Sequence, residues 1–128
     1  AVRIKDQGGL VMLPHPFDNF RNSVGKRGSL KELLPYVDIV EAFNAHILFM
    51  GQNHKAAELA KAHGLPMAAV SDAHAPGEIG PTYVEMPEFD GTPEGLLGSL
   101  RQGRLVGRMA NPLGRLSAKL SRVGRLFR

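Results

Sequence analysis

Leu65-Pro66-Met67-Ala68-Ala69-Val70-Ser71-Asp72-Ala73-His74 reads as a short buried strand that delivers an acid and a histidine at its carboxyl end. The apolar run is too short for a helix and is bounded by turn chemistry, with Pro76, Gly77, Gly80 and Pro81 close behind. An Asp and a His two apart at a strand end point into one space. A carboxylate and an imidazole together suit a divalent cation. Open α/β sheets and barrels place their chemistry at that end of a parallel strand. Taken alone, the Asp-x-His spacing fits a capped turn with a surface histidine as well as a metal site.

Working outward, the residues before this strand repeat the same grammar. Leu10-Val11-Met12-Leu13 follows Gly8-Gly9 as another buried strand and stops at Pro14-His15-Pro16, where two prolines hold the histidine stiffly. Ser29 with Glu32 predicts a capped short helix through Leu34 that Pro35 terminates. Residues 37–43 read as an alternating strand ending at Asn44. Gly51 interrupts the apolar residues 47–50, so the next helix is read from Asn53 through Ala56, Leu59, Ala60 and His63 to Gly64. Strand–helix–strand alternation implies parallel strands. His15, Asn44, Asp72 and His74 then share one sheet edge, although they are far apart in the chain.

After the turn, residues 82–86 suit an edge strand and Leu105-Val106 a last short one. Thr92-Pro93-Glu94 opens a helix that runs to Gly103. The first residues, Ala1 to Gly9, read as a helix end with its glycine cap. That opening predicts the C-terminal part of a longer domain.

Composition is that of a globular protein, with 43% hydrophobic and 22% charged residues. The absence of cysteine excludes disulfides, thiolate nucleophiles and Cys-bound zinc, and a cytoplasmic location is expected. No apolar run approaches a membrane span. The net charge of +4 conceals a division: Arg101, Arg104, Arg108, Arg115, Lys119, Arg122, Arg125 and Arg128 end the chain with no acid among them, leaving the first 100 residues acidic overall.

Several of these blocks, taken in order, carry a family resemblance: Gln7-Gly8-Gly9-Leu10-Val11-Met12-Leu13-Pro14-His15-Pro16-Phe17, Val40-Glu41-Ala42-Phe43-Asn44, Ser71-Asp72-Ala73-His74 and Glu78-Ile79-Gly80. Over residues 1–107 the chain resembles the C-terminal half of a PHP (polymerase and histidinol phosphatase) domain, in its small phosphoesterase branch. The resemblance implies an α/β fold, part of a distorted (β/α)7 barrel with two or three divalent ions (Mn, Zn or Fe) in its mouth. It assigns His15, Asp72 and His74 as metal ligands, and Asp72 and His74 as the catalytic pair, with Asp72 or a histidine of the site carrying a proton.

Further ligands of that family (a His-x-His pair, an acidic residue, another His and a Glu) have no match in this sequence. The implied enzyme is therefore a metal-dependent phosphoesterase whose C-terminal piece alone is inactive. Arg21, in the loop beyond His15, and Asn44 are the substrate-binding candidates; a guanidinium suits a phosphate. Glu41 is expected to act structurally and Glu78 to anchor the loop after His74. His46 stands where the family often carries an Arg. His54 and His63 are expected to face solvent.

The implied substrate is a small phosphorylated molecule or a nucleotide. Residues 108–128 form a separate basic amphipathic tail, with Leu113, Leu116, Leu120, Val123 and Phe127 at helical spacing. It reads as a helix docked on the barrel, a nucleic-acid contact, or a membrane-surface helix. The second functional reading is accordingly a non-catalytic binding module that holds nucleic acid or a partner through this tail.

Overall fold

A computed structural model of the chain describes residues 1–19, 23, 30–74 and 76–109. Ser29, Arg21 and the basic tail beyond Met109 lie outside the described residues.

Three short strands, β1 (Met12–Leu13), β2 (Ile39–Asn44) and β3 (Met67–Val70), form a parallel sheet in the order β1-β2-β3. The parallel arrangement expected from the alternation is present. Among the described residues the sheet is open and closes no barrel.

Strand β2 is not the alternating strand its sequence predicted. Every residue from Ile39 to Asn44 is buried except the half-buried Phe43, because both faces of this central strand are covered. On one face Leu13, Val37 and Val40 pack against Ala56 and Ala60 of α3 (Met50–Ala62), whose small side chains let the helix approach closely. Leu30 and Leu33 of the one-turn α2 (Leu30–Leu33) join this cluster. On the other face Ile39 and Ala68 meet Leu96, Leu97 and Leu100 of α4 (Pro93–Arg101) and Val84 of β4 (Tyr83–Glu85).

The register of β2 shifts once. Val40 pairs with Met67 and Glu41 with Ala68, yet Phe43 pairs with Ala69 and Asn44 with Val70. Ala42 is the extra residue. A bulge of this kind reverses the facing of everything after it, so Glu41 and Asn44, three apart and otherwise on opposite faces, are turned toward each other.

Other expectations meet small corrections. Pro35 does not follow the helix but sits inside a 3₁₀ turn, Leu34–Tyr36, which tolerates a proline at its start. Helix α3 begins at Met50 and passes through Gly51, with no side-chain cap at Phe49. Its first turn is held by tertiary contact, since Gln52 and Asn53 are buried. Strand β4 is an edge strand as read, within a second, two-stranded sheet where it pairs antiparallel with β5 (Arg104–Val106).

Helix α4 starts as read. Thr92 Oγ1 accepts a hydrogen bond from Gly95 N at 3.0 Å, with Pro93 in the first turn. The opening helix α1 is a single turn, Val2–Lys5. It is clasped to the sheet by Asp38, which takes Lys5 Nζ at 2.7 Å on Oδ1 and Val11 N at 2.8 Å on Oδ2.

Candidate metal centre

The strand ends do share one edge. His15 follows β1, Asn44 closes β2, and Asp72 and His74 follow β3. Among the described residues, His15 (φ 26°) and Asp72 (φ 50°) are the non-glycine residues with positive φ. That conformation costs an L-residue free energy and persists where the surroundings enforce it.

The enforcement comes from β2. His15 N donates to Glu41 Oε1 at 3.1 Å. Asn44 Nδ2 donates to the same Glu41 oxygen at 2.7 Å and to Asp72 Oδ2 at 3.1 Å. Asn44 Oδ1 accepts from His46 N at 2.7 Å. One buried amide therefore ties together two carboxylates and the turn that follows β2. A contact from Asn44 to substrate would have to give up one of these carboxylates. Glu41 is structural, as expected, and binds the backbone of the histidine it supports.

Burial pushes the Glu41 carboxyl above its usual range; the hydrogen bond from Asn44 and the neighbouring His15 oppose the rise, and the Asp72 charge adds to it. Two carboxylates at one buried edge create a demand for positive charge. His15 Nδ1 is buried and has no hydrogen-bond partner. Both observations fit a cation held by His15 and Asp72 at this edge.

His74 leans away from the strand end. Its Nδ1 lies 2.6 Å from the Asp72 carbonyl oxygen, and its backbone N donates to Glu78 Oε2 at 2.7 Å, so Glu78 does anchor the loop. Glu78 Oε1 in turn lies 3.0 Å from His46 Nε2, and the His46 and His74 ring centres are 5.0 Å apart. Among the described residues, the donors that gather within 4.8 Å of one another are those of His46, His74 and Glu78. This set shares only His74 with the trio read from the motifs.

Sequence reasoning noted His46 only as standing where the family often carries an Arg and gave it no ligand role, although its place two residues after Asn44 put it at the same edge. Asn53 was given no role at the site either. From α3 its Oδ1 accepts from Asn44 N at 3.0 Å and its Nδ2 donates to Asn44 O at 3.2 Å. His54 is exposed and faces Glu58 at 3.1 Å on the helix surface, and His63 is exposed at the helix end. Of the basic residues near the C-terminus, Arg101 donates to Gly64 O at 2.9 Å and Arg104 pairs with Glu85 at 2.6 Å. No helix among the described residues is long and apolar enough to cross a membrane.

Comparison with known proteins bears on this edge directly. No solved structure matches the chain. An uncharacterized protein of Methanocaldococcus jannaschii is 42% identical over 91 residues, which cover 69% of this chain and 38% of that protein. The chain thus spans well under half the length of the relative it matches. The family model described as PHP-associated matches residues 51–105. That segment runs from α3 through β3, Asp72, His74 and Glu78 to β5, which is consistent with a PHP-associated C-terminal region.

Proposed function

We propose that this chain supplies the C-terminal side of a metal-dependent phosphoesterase site, within a partial (β/α)7-type PHP barrel formed by residues 1–107. The observation that carries the reading is the strained pair His15 and Asp72, at the ends of β1 and β3 on either side of β2, locked through Glu41 and Asn44 of that central strand. Such strain gathers at working sites.

In this reading His15, Asp72 and His74 hold divalent ions of the manganese, zinc or iron class, together with ligands this sequence does not contain. When bound, the ions supply an attacking hydroxide at neutral pH and offset charge on the phosphoryl group. The chain's own residues set the geometry. Asn44 fixes the Asp72 carboxylate, Glu41 fixes the His15 backbone, and Arg21 is the candidate partner of the phosphate. Asp72 takes up and returns the proton at its carboxylate, because His74 Nε2, the ring nitrogen left free by the contact of Nδ1 with the Asp72 carbonyl, is the one that would bind an ion. The substrate class is a phosphate ester of a small molecule or a nucleotide.

The test is a chimera in which this chain replaces the matching segment of the M. jannaschii relative. Manganese- or zinc-dependent hydrolysis of a chromogenic phosphate ester is expected, with loss on Asp72→Asn. Turnover indifferent to Asp72→Asn overturns the reading, as does robust turnover by the 128-residue chain alone.

The charge of the C-terminal segment supports a second reading, in which residues 108–128 contact nucleic acid through phosphates. RNA binding that weakens steeply with salt, and disappears when residues 110–128 are removed, is the result it requires.

A further inference from the structure

His46, His74 and Glu78 come from three different pieces of chain. His46 lies in the turn after β2, His74 in the loop after β3, and Glu78 ends the 3₁₀ turn Pro76–Glu78. Their donor atoms lie within 4.8 Å of one another. We propose that these residues bind a divalent cation of zinc's borderline class, as an N,N,O site with a further position open. The proposal uses His74, as the function above does, and otherwise stands apart from it.

Donor chemistry is the first support. Two imidazoles and one carboxylate with an open position form a recurring ligand set for an accessible zinc ion. Ligands of a tetrahedral zinc, with bonds of about 2.0–2.2 Å, stand roughly 3.3–3.5 Å apart. The His46 Nε2–Glu78 Oε1 separation is already 3.0 Å, so closure onto an ion asks only for small side-chain movements.

Orientation is the second. A carbonyl oxygen cannot donate, so the 2.6 Å contact of His74 Nδ1 with the Asp72 carbonyl places the ring proton on Nδ1 and the lone pair on Nε2. Metal-binding histidines are held this way, by a hydrogen bond at the nitrogen opposite the ion. Glu78 is oriented likewise: His74 N holds Oε2 at 2.7 Å and leaves Oε1 turned to His46. The backbone of His46 is fixed by Asn44 Oδ1 at 2.7 Å.

Burial is the third. The His46 and Glu78 side chains are only 8% and 14% exposed. Their close contact lacks the alignment of a hydrogen bond at His46 Nε2. A cation beside them would give His46 Nε2 the partner it lacks. The more exposed His74 leaves a route for the ion to enter.

The test is titration of the 128-residue chain with Co²⁺, reading the intense visible bands of a low-coordinate ion and their bleaching by Zn²⁺. One equivalent is expected to bind. His46→Gln and Glu78→Gln should each weaken binding at least about tenfold, and His63→Ala, at an exposed position, should leave it unchanged. Glu78→Gln keeps an acceptor for His74 N, so the loop stays anchored; far-UV circular dichroism confirms that each variant folds. Absence of binding by the wild-type chain overturns the proposal, as does binding that survives both substitutions. Binding lost in His15→Ala and kept in Glu78→Gln overturns it too, while strengthening the function proposed above. A chimera carrying the wild-type chain that shows no phosphoesterase activity, from a chain that still binds Co²⁺, would count against that function alone.

Discussion

Asn53 grips both backbone groups of Asn44, taking its N–H at 3.0 Å and giving to its carbonyl at 3.2 Å. A helix side chain thus does for the last residue of β2 what a neighbouring strand would do. The residue so held is the one whose own side chain joins Glu41 to Asp72. Asn53→Ala leaves a buried N–H and a buried carbonyl without that partner, and is expected to cost about 1–3 kcal/mol in urea unfolding. Asn53→Gln, which cannot reproduce the spacing, should recover little of it.

Asn44 separates two carboxylates as well as joining them. Asn44→Ala removes a donor shared by Glu41 and Asp72 and should cost about 1–3 kcal/mol. Asn44→Asp places a third carboxylate between the first two. It is expected to be less stable than Asn44→Ala at neutral pH, with the difference shrinking as the solution is acidified. Urea midpoints of the two variants at neutral and acidic pH provide the check.

The left-handed backbone of Asp72 can be measured separately from its side chain. Asp72→Ala and Asp72→Gly both remove the carboxylate, yet only glycine adopts φ near 50° without strain. Asp72→Gly is therefore expected to be the more stable of the two by about 1 kcal/mol. Equal stability in thermal melts would mean that the loop relaxes to ordinary geometry once the carboxylate is gone.

Acid should loosen α4 at its first turn. Hydrogen bonds from the Thr92 hydroxyl at 2.6 Å and the Thr92 N–H at 3.0 Å hold the Asp90 carboxyl below its usual range. A folded-state value below the unfolded one contributes stability that is complete above the unfolded value and lost as pH falls through the folded one. The melting temperature of the wild type should exceed that of Asp90→Asn at neutral pH, and the gap should narrow below about pH 4.

Much of this edge was legible because punctuation is local. Pro14 and Pro16 around His15, and the turn residues after His74, mark strand ends directly, and Thr92-Pro93-Glu94 marks a helix start. Parallel pairing followed from the alternation of strands and helices. The bulge at Ala42 was not legible, since no glycine or proline announces it and the shift exists only relative to β3. The early start of α3 was hidden because its first turn is stabilised by buried Gln52 and Asn53 rather than by a cap. The meeting of His46 with Glu78 depends on how two loops fold against each other, which no periodicity encodes. The motif resemblance pointed to this edge, and side-chain geometry gathers a different set of donors there.

The extra residue in β2 makes the edge sensitive to counting as well as to chemistry. Deleting Ala42 would leave the hydrophobic character of the strand almost untouched and would still permit a parallel ladder. Asn44 would then stand two residues after Glu41 and keep its pairing with Val70, so its amide would stay on the face of both acids. Drawing Ala42 into an unbroken ladder, by contrast, would move Asn44 one place along β3 and onto the opposite face, keeping the sheet and losing the site.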